Sequence, residues 1–450
     1  MKKRNEFNML VNRWSLKDFK CFEEVDIEFG KITLLTGANS SGKSSLIYAL
    51  LGIMQSRPFP EFFALNGKLV NMGGFEDVIR KKSEAKYFEI NITIGEKRCF
   101  ARWNQNDFNE QPELVECIYQ EKDFIKKIVV EKDGNLIITL RIEKGKLNKI
   151  QDIGRGSISK SFLRKFKDQA LNFSITDSEV EVINKNNFNI LSENADYIEL
   201  QYIISRLNIL SSFSLFPLPI FVGHEFLGFN YIGSFRLPPE RTYYSKPNAS
   251  LIGVNGEGYI DQIISWEEHD RELLDNLIYE IKELGLLSHI ETNRMKGGRF
   301  EVNVKTNKNS SFASLTDVGF GISQFLPIIV ADFQLNEASC LAVSQPEIHL
   351  HPKIQATLGE YFARQIKKTE KQYIVETHSE YLINRLRLLI VKGELNPEDV
   401  KLYYMENDGD KTTTYKIELT TDGQIKNAPQ GFFDTYEMDV MDIALFASAQ

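Results

Sequence analysis

The fold of this chain is decided by one stretch, Gly37-Ala38-Asn39-Ser40-Ser41-Gly42-Lys43-Ser44, which fits the pattern GxxxxGK[ST] at every fixed position. A short β-rich run at 31–36 precedes it. From Ser44 to Gln55, apolar residues recur at the spacing of one helical face. A strand, a glycine-rich turn and a helix in this order predict a phosphate-binding loop, or P-loop. The alternative, a Gly/Ser turn that binds nothing, leaves the flanking strand and helix without explanation.

Each fixed position of the P-loop has a chemical reason. Gly37 and Gly42 allow the backbone to curl so that successive N–H groups point at phosphate oxygens, and the following helix adds its positive end. Lys43 offers a point charge to the β- and γ-phosphates, and the Ser44 hydroxyl is suited to bind Mg²⁺. We therefore predict ATP and Mg²⁺ as cofactors, with Ser44 as the metal ligand. The nucleotide-binding residues predicted here are Gly37, Ala38, Asn39, Ser40, Ser41, Gly42, Lys43, Ser44 and Ser45.

The composition of the 450 residues is that of an ordinary globular protein, with 42% hydrophobic and 26% charged residues. No apolar run approaches the ~18–20 residues of a membrane span. The four cysteines show neither zinc nor disulfide spacing, and no signal-peptide pattern opens the chain, so we predict a cytoplasmic location. The net charge of −8 argues against indiscriminate nucleic-acid binding. The basic segment 144–167 leaves a DNA or partner contact open beside a plain solvated surface.

The order of elements predicts an α/β core interrupted by a variable α+β insertion. The predicted domains are an N-terminal lobe with the P-loop at 1–100, the insertion at 101–230, a helical region at 231–330 and a C-terminal lobe at 331–450. Strands are predicted at 88–94, 136–142, 339–343, 372–376 and 401–405, and helices at 198–210, 259–286, 352–367 and 379–391. No heptad pattern persists long enough for a coiled-coil arm.

Three motifs follow one another in the last third of the chain: Leu315-Thr316-Asp317-Val318-Gly319-Phe320-Gly321-Ile322-Ser323-Gln324, Ser344-Gln345-Pro346-Glu347-Ile348-His349-Leu350-His351-Pro352 and Glu376-Thr377-His378-Ser379. With the P-loop, they resemble the ABC-type ATPases of the RecF/SMC/OLD group. Within that group they resemble stand-alone ATPase subunits of bacterial antiphage systems such as Septu. The segment 16–22 is similar to the first-strand motif of the group. Recognisable similarity covers about 10–80 and 230–435.

This resemblance implies an ABC ATPase head of two lobes, with a mixed sheet and flanking helices, that forms a head-to-tail dimer. ATP on one P-loop is then covered by the signature loop of the other subunit, so that nucleotide joins the two. The resemblance gives nucleotide contacts to Gly319, Gly321, Ser323 and Gln324, and also to Lys20 in the first-strand motif. Whether Thr316 or Ser323 offers its hydroxyl to the phosphate stays open. His378 occupies the place of a γ-phosphate sensor.

The chain departs from the family pattern at the end of the predicted strand 339–343, where relatives carry an acidic residue that holds Mg²⁺ through water. Ser344 stands there and Gln345 follows it. Serine lacks the carboxylate charge, and glutamine orients a water without taking its proton. Glu347 is the candidate to compensate, so we predict Gln345, His378 and Glu347 as the catalytic residues and expect slow or absent hydrolysis. A metal site at His349 and His351 is the weaker alternative, because no third soft ligand is near.

Two functions follow. In the first, the chain is a regulatory ATPase subunit that holds or releases a separate effector in antiphage defence, such as an HNH or Toprim nuclease. In the second, it is a DNA-repair or DNA-processing ATPase of the RecF/SMC type that couples turnover to work on DNA. The second calls for an acidic residue at position 344 and usually for a long coiled coil, and the sequence offers neither.

Overall fold

The computed structural model of the chain describes residues 10–56, 59–60, 62–106, 111–121, 124–130, 136–142, 171–175, 179–184, 228–244, 251–429 and 432. The chain divides into two compact units. The first, called here the core unit, consists of residues 1–10, 28–47 and 224–450. The second, called here the meander unit, consists of residues 11–27 and 48–223. The predicted boundary at residue 100 therefore falls inside the meander unit.

The strands are numbered along the chain as β1 Val11–Phe19, β2 Phe22–Glu28, β3 Ile32–Gly37, β4 Tyr87–Ile94, β5 Lys97–Gln105, β6 Pro112–Glu121, β7 Phe124–Val130, β8 Leu136–Ile142, β9 Leu171–Ile175, β10 Glu179–Asn184, β11 Phe229–Ile232, β12 Tyr243–Tyr244, β13 His289–Met295, β14 Arg299–Lys305, β15 Ala313–Ser314, β16 Cys340–Ser344, β17 Gln372–Glu376, β18 Val400–Asn407, β19 Thr412–Leu419 and β20 Ile425–Lys426. The α-helices are α1 Lys43–Gln55, α2 Phe75–Val78, α3 Tyr259–His269, α4 Arg271–Glu283, α5 Phe320–Gln334, α6 Pro352–Thr369 and α7 Glu380–Val391. A short 3₁₀ turn occupies Pro397–Asp399.

The meander unit is built on a nine-stranded sheet in the order β2-β1-β4-β5-β6-β7-β8-β10-β9. From β1 outward, each strand pairs antiparallel with the next in this order. Strand β4 shows why the sequence pairs in this way, since alternate residues are buried along its whole length. Its buried Phe88 packs among further rings of the same unit, including Phe63 and Trp103. Antiparallel alternation therefore gives this unit its own hydrophobic core.

The core unit contains a seven-stranded sheet in the order β11-β16-β17-β3-β18-β19-β20. The first five strands of this order run parallel, and the last two pair antiparallel. Every residue of β3, β16 and β17 is buried, which is typical of parallel strands covered on both faces. The carboxyl ends of parallel strands meet at one edge, and ligands of open α/β sheets bind outside that edge. This edge positions the candidate site.

Helices and a smaller sheet complete the core unit. The helical stretch predicted at 259–286 consists of two helices, α3 and α4, the second of which ends at Glu283. The chain breaks at Asp270, whose carboxylate accepts the Leu273 N–H and caps α4. Strands β12, β13, β14 and β15 form the second sheet of this unit. Among the described residues the longest helix, α6, has 18 residues, so no coiled-coil arm is seen there.

The remaining predicted elements agree with the structure to within a few residues, from β3 and α1 through β17 to β18. The helix predicted at 198–210 and the basic segment 144–167 lie outside the described residues. Within the described residues, no helix has the length and apolar character needed to cross a membrane.

Candidate nucleotide-binding site

Three neighbouring strands bring the sequence motifs to one edge of the core-unit sheet. Strand β17 lies between β16 and β3, so that Gly37, Ser344 and Glu376 all end buried parallel strands side by side. Ser344 is paired with Glu376 in the register of β16 and β17. The N–H of Gln345 donates to the Glu376 carbonyl at 2.7 Å. The P-loop and the second and third C-terminal motifs therefore meet at this edge.

The P-loop is folded around its lysine. Gly37 has a φ of +138°, and a Cβ at this position would lie 2.2 Å from the Met405 carbonyl oxygen, so only glycine fits. The Lys43 side chain is buried, and its Nζ donates to the carbonyl oxygens of Gly37 at 3.0 Å and Ala38 at 2.7 Å. Burial lowers the pKa of Lys43, and the nearby Glu376 carboxylate opposes that shift. The ammonium thus sits inside the loop, where phosphate would meet it.

The other predicted P-loop residues line the same turn. Ala38, Asn39 and Ser40 are exposed, whereas Ser45 is partly buried in the first turn of α1. The carbonyl of buried Ser41 accepts a hydrogen bond from the Thr412 hydroxyl at 3.0 Å. This bond ties the loop to β19 of the same unit, so the loop is held in shape by its own sheet.

Glu376 is the residue of this site that the sequence reasoning missed. Its carboxylate accepts the Ser44 hydroxyl at 3.0 and 3.2 Å and the Ser344 hydroxyl at 2.8 Å. Only 5% of its surface is exposed. The signal was a glutamate at the end of an apolar strand, directly before Thr377 and His378. This glutamate can be assigned to the site only once β17 is known to lie beside β3, and the sequence alone does not give that order of strands.

Ser344 and Gln345 are held by two residues near β11. The Tyr231 hydroxyl lies 3.1 Å from the Ser344 hydroxyl. Arg236 donates from Nη2 to the carbonyl oxygens of Ser344 at 2.5 Å and Gln345 at 3.0 Å. Burial lowers the pKa of Arg236 to about 10, so its guanidinium still carries its charge at neutral pH. Gln345 has a φ of +48° and is partly exposed, so this strained turn is fixed from behind by an arginine.

Glu347 and His378 are joined through the backbone. The N–H of His378 donates to the Glu347 Oε1 at 2.7 Å, while the His378 side chain is exposed. Glu347 is 8% exposed, and its Oε2 is buried without a hydrogen-bond partner among the described residues. Burial raises the pKa of the Glu347 carboxyl. Burial and the Lys43 charge lower the pKa of His378, which favours the neutral imidazole at pH 7.

The first of the three C-terminal motifs, residues 315–324, is not a loop throughout, because helix α5 already begins at Phe320. Ser323 and Gln324 are buried in its first turns, where the Ser323 hydroxyl donates to the Phe320 carbonyl at 2.8 Å. Gln324 donates to the Arg236 carbonyl at 3.4 Å. The exposed residues of the motif are Asp317, Gly319 and Phe320, with Thr316 partly exposed and Gly321 packed on the His349 carbonyl. The hydroxyl that would reach a phosphate therefore stays a prediction.

Lys20 belongs to the meander unit, in the turn between β1 and β2. Its Nζ donates to the Asp77 carbonyl at 3.3 Å, and burial lowers its pKa. Its nucleotide contact stays a prediction. His349 is exposed against the Phe320 ring, and His351 caps α6 by accepting the Lys353 N–H.

The donor set at the strand ends fits Mg²⁺, which prefers oxygen ligands, few protein carboxylates and phosphate. Ser44 and Glu376 are oxygen donors in direct contact beside the P-loop. No cluster of three or more His, Cys, Asp or Glu side chains suited to a metal occurs in the described part of the chain. A Mg²⁺ ion held here by Ser44 and Glu376 would take its remaining oxygen ligands from phosphate and water.

Comparisons with known proteins found two family models and several solved structures that are similar to the chain. A family model described as an AAA ATPase domain matches residues 9–383, and one described as a protein of unknown function (DUF3696) matches residues 395–443. No curated protein sequence matches the chain. Among solved structures, the SMC head domain from Thermotoga maritima matches with 12% identity and a TM-score of 0.37, covering 91% of this chain and all of its own. The Smc head domain from Pyrococcus furiosus, bound to the C-terminal domain of ScpA, matches with 13% identity and a TM-score of 0.41, covering 96% of this chain and 98% of its own.

Proposed function

Because the chain belongs to the AAA ATPase domain family, we propose that it binds ATP with Mg²⁺ at the P-loop, pairs head to tail around the nucleotide and hydrolyses it slowly or not at all. The pair controls a separate effector, a nuclease, in bacterial antiphage defence. One observation carries the proposal: the buried Lys43 ammonium lies in a glycine loop at the carboxyl edge of a parallel sheet. A cation surrounded by neutral carbonyls is arranged for an anion.

The proposed pairing is supported by the exposure of residues at this edge of the sheet. Ala38, Asn39 and Ser40 are exposed, so the P-loop alone leaves one side of a triphosphate to water. Gly319 is also exposed, and a Cβ built on it would meet no atom within 4 Å. A flat, accessible glycine at the start of a helix supports close approach to a nucleotide held by another copy.

Slow hydrolysis is supported by the groups around Gln345. Ser344 and Gln345 carry no charge, and Glu347 is buried with one oxygen bound to the His378 N–H. A general base must reach the proton of the attacking water, directly or through one water. None of these three is both charged and open to solvent. Turnover in a phosphate-release assay near the ~10 s⁻¹ enzyme median would contradict this part of the proposal.

Control of a nuclease is supported by the motif resemblance to antiphage ATPase subunits. Expression of the tagged chain from its native gene neighbourhood should recover a nuclease on the same column. That nuclease should change its activity on DNA when ATP is exchanged for ADP. Recovery of the chain without a nuclease, together with DNA-stimulated ATP turnover, would favour a DNA-processing ATPase instead.

Binding and pairing are tested together. Calorimetry should detect binding of a non-hydrolysable ATP analogue with Mg²⁺, and sedimentation should show that the analogue increases the mass to that of a pair. The Gly319→Asp variant places a negative charge where the second copy's phosphate would lie. It should keep nucleotide binding to the isolated chain and lose the mass increase. An unchanged mass increase in this variant would exclude the exposed glycine from the pairing surface.

A further inference from the structure

The edge of the sheet presents a carboxylate one strand away from where the family pattern has it. Ser344 ends β16 at the position of the usual acid, and Glu376 ends β17 beside it in register. The two side chains touch, with the Ser344 hydroxyl donating to the Glu376 carboxylate at 2.8 Å. The charge missing from one strand end is therefore present on the next.

Glu376 is also the carboxylate in contact with the P-loop. Both of its oxygens lie near the Ser44 hydroxyl, at 3.0 and 3.2 Å. The other candidate, Glu347, is directed to the His378 N–H instead. Of the acids at this edge, Glu376 alone shares a hydrogen bond with the predicted metal ligand in the described structure.

Glu376 is 95% buried by surface and forms no ion pair within the described residues. The Lys43 ammonium is near enough to interact with its charge, but it donates its hydrogen bonds to the carbonyl oxygens of Gly37 and Ala38. In the described structure the Glu376 carboxylate accepts from the hydroxyl groups of Ser44 and Ser344. A buried charge without pairing is costly, and a bound cation is one way of offsetting that cost.

We propose that Glu376 supplies the carboxylate that anchors hydrated Mg²⁺ beside Ser44, in place of the acid that Ser344 replaces. This inference rests on the proposed function, because the cation arrives with the nucleotide. Bound Mg²⁺ would supply neutralisation of the phosphate charge. Glu376 would hold it at the strand end, and Ser344 would orient the Glu376 carboxylate from the other side.

The test is the gain in nucleotide affinity that Mg²⁺ produces. The affinity of a non-hydrolysable ATP analogue is measured by calorimetry in MgCl₂ and in EDTA. In Glu376→Gln the gain should fall roughly 10- to 100-fold, the usual loss when a group supporting a metal site is removed. Affinity in EDTA should not fall, since the variant removes a negative charge near the phosphates. A gain equal to that of the wild type would overturn the proposal.

A relocated carboxylate sharpens the test. Ser344→Asp combined with Glu376→Gln returns the acid to β16, and this double variant should recover part of the Mg²⁺ gain. Glu418→Gln is the matched control, because it removes the same charge from an exposed position on β19 and should leave the gain unchanged. Failure of the double variant to exceed Glu376→Gln would count against a charge-based role.

Folding and binding failures are separated by two further measurements. Thermal unfolding is recorded for every variant. If Glu376→Gln does not fold, Glu376→Ala is measured instead and should show the same fall in the gain, so that an undiminished gain would overturn the proposal. If the wild type itself does not bind the analogue in MgCl₂, the proposed function fails. If it binds and the gain is insensitive to position 376, only this inference fails.

Discussion

Two buried carboxylates, those of Asp332 and Glu376, lie near opposite ends of strand β17 and differ in their hydrogen-bond and ion-pair partners. Asp332 on α5 is fully buried and is surrounded by donors: Lys371 at 3.3 Å, Tyr373 at 3.0 Å and the hydroxyl of Tyr361. Glu376 is nearly as buried, but the hydrogen bonds that it accepts within the described residues come from the hydroxyl groups of Ser44 and Ser344. The first site is complete without a ligand, whereas the second is left for a cation to complete.

This difference in partners indicates that the Asp332 end of β17 contributes to stability, whereas the Glu376 end is arranged for ligand binding. A carboxylate with its own lysine and tyrosines fixes α5 and α6 to the amino end of β17. A carboxylate that has no direct ion pair keeps the other end available to a ligand, at a cost in stability. The same strand can serve both purposes because its middle residues are wholly buried and hold the two ends apart.

The largest effect, on the free energy of unfolding, is expected at the amino end of β17, where Asp332 is paired with Lys371. Asp332→Asn leaves the Lys371 ammonium buried without its counter-charge, and breaking such a pair typically costs about 3–5 kcal/mol. Chemical denaturation should show this loss in the free energy of unfolding. Nucleotide affinity, measured where the variant is still folded, should be unaffected. A loss below about 1 kcal/mol would mean that the two ends of β17 do not differ in the way argued above.

The second largest effect, on nucleotide affinity, is expected at the carboxyl end of β17, where Glu376 lies beside the P-loop. Lys43→Ala should lower the affinity for the ATP analogue by about 10- to 100-fold, because hydrogen bonds to charged groups contribute ~1.5–3 kcal/mol. The free energy of unfolding should not fall in step, since burial already disfavours the Lys43 charge. Lys392→Ala, an exposed position, is the control for the loss of one positive charge. Equal losses of stability and affinity in Lys43→Ala would contradict the claim that the carboxyl end of β17 serves ligand binding rather than stability.

The sequence predicted this contrast only in part. The P-loop could be recognised because its eight residues are contiguous and each has a local chemical reason. The Glu376 carboxylate could not, because its role depends on β17 lying between β16 and β3, a lateral order set by tertiary packing. The sequence also did not predict, for a related reason, that residues 320–324 belong to helix α5. Gly319 and Gly321 favour a loop locally, but packing against the His349 carbonyl and the Arg236 carbonyl draws the segment into a helix.

The nine-stranded sheet illustrates the same limit in the meander unit. Alternation of apolar and polar residues predicted β4 and β8 individually, since a period of two is a local property of the sequence. It did not predict that β1 and β2, far away in sequence, form one edge of the same sheet. Residue 100, predicted as a domain boundary, lies in the middle of β5, where pairing with both neighbours continues.

The smallest effect is expected at Glu347, whose hydrogen bonding is intermediate between that of Asp332 and that of Glu376. One oxygen accepts the His378 N–H and the other has no partner in the described structure. Burial raises its pKa above the ordinary value of 4.5, so the folded state binds its proton more tightly than the unfolded state does. Stability conferred by the protonated form is therefore complete below about pH 4.5 and is lost as the pH rises through the raised pKa.

Glu347→Gln keeps an acceptor for the His378 N–H and removes the titration. Relative to the wild type, the variant should gain stability as the pH rises from 5 to 8, which denaturation at several pH values can measure. The sign is opposite to that expected for a carboxylate already paired with a cation, whose pKa would be lowered. A stability difference that is flat in pH, or that favours the wild type at pH 8, would place Glu347 with Asp332 as a completed site. The neighbouring Arg236 guanidinium would then be the cationic partner of Glu347, as Lys371 is for Asp332.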